Sequence, residues 1–222
     1  MKLNSKMKDS HSGDIRNVVV FLHGYGADGA DLLGLADPLA EHLPDTAFFA
    51  PDAPERCVAN LMGFQWFPIP YIDGSSEEEM MQGMERSVAE LNDYLDEILV
   101  DTDLEPENMA LVGFSQGTMM SLHVAPRRED AVACVVGFSG RLLQPETLED
   151  EVVSKMPVLL LHGDEDNVVP PESLPLAAEA LESAGFSEIF AHVMRGTAHG
   201  IAPDGLQVAL AFLREKLGYE TA

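Results

Sequence analysis

The sequence predicts an α/β fold: a mostly parallel sheet with helices on both faces, built as one domain over residues 1–222 with no separate lid domain. Three observations carry this. Short runs dense in Val, Leu and Phe recur along the 222 residues, and such continuous apolar runs suit strands buried on both faces. Segments with apolar residues at three- and four-residue steps alternate with them, which argues a parallel sheet covered by helices. Finally, the run Met109-Ala110-Leu111-Val112-Gly113-Phe114 passes through Ser115-Gln116-Gly117 into a helix-like stretch, so a serine falls on the bend between strand and helix. No repeat, low-complexity tract or linker divides the chain.

Taken in order, residues 1–16 read as a loose N-terminal tail or a poorly formed edge strand. Lys2, Lys6 and Lys8 are followed by no apolar stretch, so this is not a secretory signal. Residues 17–23, Asn-Val-Val-Val-Phe-Leu-His, form a β-branched buried strand. The loop Gly24-Tyr25-Gly26-Ala27-Asp28-Gly29 follows, then a helix over about 30–43. Its glycines would serve a dinucleotide only if the loop opened the helix directly, and no acid is expected at a strand end about twenty residues on. The better reading is a loop whose free N–H groups face a pocket.

Residues 46–50 are a short strand closed by Pro51-Asp52-Ala53-Pro54. Residues 55–76 carry Leu61, Met62, Phe64, Trp66, Phe67, Ile69 and Tyr71 among prolines, and no single period fits them. Such a stretch is either a functional loop or one that folds its aromatics into the core. Residues 77–99 form an amphipathic helix with Met80, Met84, Val88, Leu91, Leu95 and Ile98 inward. Ser75 or Ser76 caps it, and Glu77, Glu78 and Glu79 suit its first turn. Strands follow at 109–114, 131–138, 157–162 and 188–194, and helices after Ser115, at 171–184 and at 203–217.

Composition narrows function. The formal charge is −25, which repels phosphate backbones and anionic bilayers, so neither nucleic acid nor a stable membrane association is expected. No apolar run approaches the roughly 18 residues of a membrane span. So many acids suit a solvated surface, or, read more sharply, adaptation to high salt. Cys57 lies in a Pro-rich loop and Cys134 in a strand, outside any metal pattern; a reduced, cytoplasmic chain is the simpler reading. A homo-oligomer is left open.

Gly113 and Gly117 flank a bend so tight that side chains there would strike neighbouring elements. A serine in that bend is held at strained angles with its hydroxyl above the sheet edge, as a nucleophile requires. Two further loops past predicted strands hold Asp164, Glu165 and Asp166, and His199. In an open parallel sheet such loops share the carboxyl edge, where ligands bind, so a serine, an acid and a histidine can converge. His23 and His162 end strands and are expected to pin loops; His42, His123 and His192 are expected to be structural. No metal-ligating pattern is present.

The chain resembles the phospholipase/carboxylesterase family of α/β hydrolases, which includes acyl-protein thioesterases and small bacterial carboxylesterases. The matching pieces are Phe21-Leu22-His23-Gly24-Tyr25-Gly26, Pro51-Asp52-Ala53-Pro54, Gln65-Trp66-Phe67, Gly113-Phe114-Ser115-Gln116-Gly117, His162-Gly163 with Asp166-Asn167-Val168-Val169-Pro170, and His199-Gly200. The resemblance implies a single-domain α/β-hydrolase fold and hydrolysis of a small acyl ester without cofactor or metal. It implies Ser115 as nucleophile, His199 as base and, from the position before Val-Val-Pro, Asp166 as the acid. It further implies an oxyanion hole from the N–H groups of Tyr25 and Gln116, whose side chains need take no part. Leu61, Phe64, Trp66 and Phe67 are then expected to line the acyl site.

Overall fold

The structure, a computed structural model, describes residues 3–219, so the first two residues of the expected tail lie outside the described part. In chain order the strands are β1 (Ser5–Lys8), β2 (Asn17–Leu22), β3 (Thr46–Pro51), β4 (Glu55–Arg56), β5 (Phe64–Gln65), β6 (Met109–Phe114), β7 (Cys134–Phe138), β8 (Val158–Gly163) and β9 (Ile189–Met194). The helices are α1 (Gly29–Leu33), α2 (Ala36–Ala40), α3 (Pro70–Asp73), α4 (Glu77–Thr102), α5 (Gln116–Val124), α6 (Pro145–Glu151), α7 (Ser173–Ser183) and α8 (Pro203–Lys216).

Seven strands form one sheet in the order β1-β3-β2-β6-β7-β8-β9. All pair in parallel except β1, which runs antiparallel to β3 with Ser5 opposite Pro51. The N-terminal segment is therefore an edge strand, and its Lys6 and Lys8 are side chains that discourage further edge pairing. Alternate residues of β2 enter opposite cores: Val18, Val20 and Leu22 meet one face, Val19 and Phe21 the other. The first core takes in α4, α5, α6 and α7 through residues such as Leu91, Met120, Leu148 and Leu181. The second takes in α1, α2 and α8 through Leu32, Leu39 and Phe212. No helix among the described residues is long and apolar enough to cross a membrane.

The long helix α4 follows its sequence pattern, burying Met84, Leu91, Leu95 and Ile98. Each such side chain removed from water contributes roughly 1.5–3 kcal/mol. Ser76 is the cap: its Oγ accepts from Glu79 N–H at 3.1 Å, and Glu79 Oε2 accepts from Ser76 N–H at 2.7 Å.

Three expectations are corrected. The helix expected over 30–43 is two short helices, because Pro38 has no N–H for the carbonyl of Gly34 and its ring would crowd that carbonyl. The irregular 55–76 stretch holds the antiparallel β4–β5 pair and α3, all too short to display a period. An acid does stand just past a strand end, at Asp52. Its Oδ1 accepts from Gly29 N–H at 3.0 Å and its Oδ2 from Asn4 at 2.6 Å. The N–H at the start of α1 is thus occupied, and a pyrophosphate has no donor there.

The chain turns back on itself between β2 and β6: β3 lies to one side of β2, and β7, β8 and β9 lie beyond β6. In open α/β sheets the crevice at such a reversal, outside the carboxyl ends of the strands, is where ligands bind.

Candidate active site

Ser115 lies on that crevice, one residue past β6, with φ 54° and ψ −114°. Non-glycine residues at positive φ are strained by about 1–3 kcal/mol. The bend is enforced by contact: a Cβ on Gly117 would meet the Leu22 carbonyl, and one on Gly113 would meet the backbone at Gly117 and Thr118. Ser115 N–H is held by Phe138 O at 2.9 Å, and Ser115 O accepts from Met119 N–H at 3.1 Å.

His199 comes from the loop between β9 and α8. Ser115 Oγ lies 3.0 Å from His199 Nε2, and Asp166 Oδ2 lies 2.7 Å from His199 Nδ1. With Asp166 ionised, Nδ1 carries the proton and donates, which leaves the Nε2 lone pair for the serine hydroxyl. Burial alone would raise the Asp166 carboxyl. Hydrogen bonds from His199 and from the Val168 and Val169 N–H groups, both 2.9 Å from Oδ1, outweigh it and hold its pKa below the ordinary value. Phe114 packs against the His199 ring with centroids 5.0 Å apart. His162 pins the acid loop, with Nε2 2.9 Å from Val169 O and 3.3 Å from Asp166 Oδ2.

Of the rival acids, Asp164 turns away from the histidine: its Oδ1 accepts from Gly196 N–H at 2.6 Å. Asp166 alone of the three is buried.

The glycine-rich loop after β2 presses on Ser115, since a Cβ on Gly24 would sit 3.3 Å from Ser115 Cβ. His23 accepts Ala53 N–H at Nε2 and donates from Nδ1 to Gly24 O at 2.7 Å. Burial lowers its pKa, which favours this neutral tautomer. The Gly24 carbonyl and the Tyr25 N–H belong to one trans peptide and point opposite ways. Among the described residues, neither Tyr25 N–H nor Gln116 N–H has an acceptor.

Beyond the N–H groups expected to form the oxyanion hole, the Tyr25 and Gln116 side chains make bonds of their own. Gln116 Oε1 accepts from Trp66 N–H at 2.9 Å, and its Nε2 donates to Phe67 O at 2.8 Å. Tyr25 donates to Asp73 Oδ2 at 3.0 Å. Trp66 and Phe67, expected to line the acyl site, are buried in this structure. They are 0% and 3% exposed, and the Trp66 indole N–H donates to His23 O at 3.0 Å. Trp66 thereby props the start of the glycine-rich loop, and Phe67 O holds Gln116. Phe64 is half-buried under the Arg56 guanidinium, whereas Leu61 is 78% exposed. Sequence reasoning gave no role to Asp73 and none to the Phe114 ring; the contacts Tyr25–Asp73 and Phe114–His199 join residues far apart in the chain.

Fold and site together define an α/β hydrolase with a serine, histidine and carboxylate in line. The chain belongs to the phospholipase/carboxylesterase family, whose sequence profile matches residues 8–217. It is 29% identical over 213 residues to acyl-protein thioesterase 1 of Gibberella zeae, covering 90% of each chain. Identity to acyl-protein thioesterase 1 of Saccharomyces cerevisiae is 28% over 214 residues, covering 91% of this chain and 93% of that one. Among solved structures, esterase PE8 shares 40% identity with a TM-score of 0.92, covering 98% of this chain and 100% of PE8. Acyl-protein thioesterase 2 of Zea mays shares 25% identity at a TM-score of 0.77, covering 97% and 99%.

Proposed function

We propose that the chain is a serine carboxylesterase that hydrolyses short- to medium-chain acyl esters through an acyl-enzyme. The observation that carries this is the unbroken line of hydrogen bonds from Ser115 through His199 to buried Asp166. Ser115 Oγ attacks the ester carbonyl while His199 Nε2 takes its proton. His199 then returns that proton to the departing alcohol. Water, deprotonated by the same nitrogen, cleaves the acyl-serine and releases the acid. Asp166 keeps the tautomer and stabilises the imidazolium. The free N–H groups of Tyr25 and Gln116 receive the oxyanion.

With Trp66 and Phe67 buried, the acyl chain is left the exposed apolar side chains of the same stretch, Leu61, Met62, Tyr71 and Ile72. Each methylene laid on such a wall gains about 0.8 kcal/mol. Discrimination between neighbouring chain lengths is then tenfold or less per carbon. Cys57 and Cys134 are both unpaired and buried, which supports a reducing, cytoplasmic setting.

A thioester or lysophospholipid substrate is the second reading, favoured by the relatives named acyl-protein thioesterase. The site chemistry is common to all of these substrates and only the leaving group and acyl chain differ. Purified protein assayed on matched oxygen esters and thioesters, from acetyl to palmitoyl, decides between them. The ester reading expects a maximum of kcat/KM between butyryl and octanoyl oxygen esters. A maximum on palmitoyl thioesters overturns it in favour of the second.

A further inference from the structure

We propose that Asp73 is a positioning residue for ester hydrolysis in this chain, holding the oxyanion loop in place through the hydroxyl of Tyr25. The inference rests on the function proposed above and adds to it a residue that touches no reacting atom.

Tyr25 offers the reaction only its N–H, and it stands between Gly24 and Gly26, with Gly26 at φ 78°. Two flanking glycines make this the most freely rotating part of the loop. The neighbours are fixed by bonds of their own. Trp66 holds His23 O, His23 holds Gly24 O, Gly26 N–H donates to Phe64 O at 2.8 Å, and Asn60 donates to Gly26 O at 2.7 Å. Residue 25 itself is gripped by its side chain, 3.0 Å from Asp73 Oδ2.

Asp73 is a rigid anchor. The same Oδ2 accepts from Ile69 N–H at 2.8 Å, and Oδ1 accepts from Ser75 N–H at 2.9 Å, so the carboxylate closes the turn that carries α3. Burial would raise its pKa, but the bonds from Ser75, Ile69 and Tyr25 outweigh this and keep it ionised. Burial, together with Cys57 and Asp73, raises the Tyr25 phenol, so it remains a donor. A hydroxyl donating to a carboxylate is among the stronger kinds of hydrogen bond. The bond ties an oxyanion donor to the segment that also holds Gln116, the other donor, through Trp66 and Phe67. One segment, Gln65 to Asp73, thus fixes both halves of the hole.

The test uses Tyr25→Phe, Asp73→Asn and the double variant in the full chain, assayed on a butyryl ester. Loss of one bond to a charged group predicts that Tyr25→Phe lowers kcat about tenfold, with KM within about twofold because the oxyanion forms only in the transition state. Affinity for an alkylboronic acid, which becomes a tetrahedral anion on Ser115, falls by the same factor. Asp73→Asn lowers kcat in the parent chain, and its effect shrinks once Tyr25→Phe is in place, because the bond the two share is then already gone. Wild-type kcat and boronate affinity in Tyr25→Phe overturn the proposal, even if the melting temperature falls. So does a double variant whose loss is the product of the two singles. Stoichiometric phosphonate labelling of Ser115 in each variant keeps this outcome separate from a failure of the functional reading itself.

Discussion

At residue 115 the backbone is held at φ 54° by packing on all sides, and the serine reaches its histidine at 3.0 Å. The same geometry is the ground for proposing Asp166 as the acid. Asp166 is sealed in, with every carboxylate oxygen accepting a donor, while Asp164 serves only the Gly196 turn. Replacing Asp166 by Asn presents the wrong tautomer to Ser115, so kcat is expected to fall roughly 10⁴-fold. Asp164→Asn keeps an oxygen able to accept from Gly196 N–H and is expected to stay within about threefold of wild type. Steady-state kinetics on one ester measures both; the reverse ranking moves the acid to Asp164. From sequence alone the three acids of this loop were separated only by resemblance, because their order of burial is set by His162 and the Val168–Val169 backbone.

At the scale of elements, the segment after β3 changes meaning between sequence and structure. Trp66 is fully buried, so Trp66→Phe, which removes the N–H to His23 O and leaves a cavity beneath the glycine-rich loop, is expected to lower kcat/KM by one factor for acetyl, hexanoyl and octanoyl esters. A loss that grows with chain length would restore Trp66 to the acyl wall. Helix α5 carries a second expectation. His123 is buried with Nδ1 unpartnered, and burial, then Arg127, moves its pKa from the ordinary 6.5 to about 4. The unfolded chain therefore binds a proton that the folded chain refuses between those values. Stability is full above pH 6.5 and declines as pH falls to 4, by up to the order of 3 kcal/mol. His123→Leu is expected to flatten this limb in urea titrations across pH; an unchanged slope contradicts it. Strands β2, β6, β7 and β8 were legible because both faces are buried and the sequence is continuously apolar. Helix α6 was not, since Leu148 is its only buried residue after Pro145 and gives no period. The break between α1 and α2 was written in Pro38. The props on the glycine-rich loop were not legible at all: Trp66 to His23 and Asp73 to Tyr25 are bonds across more than forty residues.

For the whole molecule, the sheet order places the glycine-rich loop after β2 and Ser115 after β6 side by side, and so makes one crevice from distant segments. The same molecule carries a formal charge of −25. Self-repulsion of that size is relieved as the screening length falls from about 10 Å at 0.1 M salt to about 3 Å at 1 M. Raising NaCl over that range is expected to raise Tm by roughly 3 °C or more, equivalent to about 1 kcal/mol for a chain of this size. A Tm that falls with salt contradicts a charge-strained surface. The central claim, an acyl-enzyme on Ser115, is tested most directly by mass spectrometry of the intact protein after treatment with a fluorophosphonate, followed by peptide mapping. One adduct per chain on the peptide holding Ser115 is predicted. Ser115→Ala should carry no adduct and show a fall in kcat of about a millionfold. An adduct on another residue, or turnover retained in Ser115→Ala, contradicts the account.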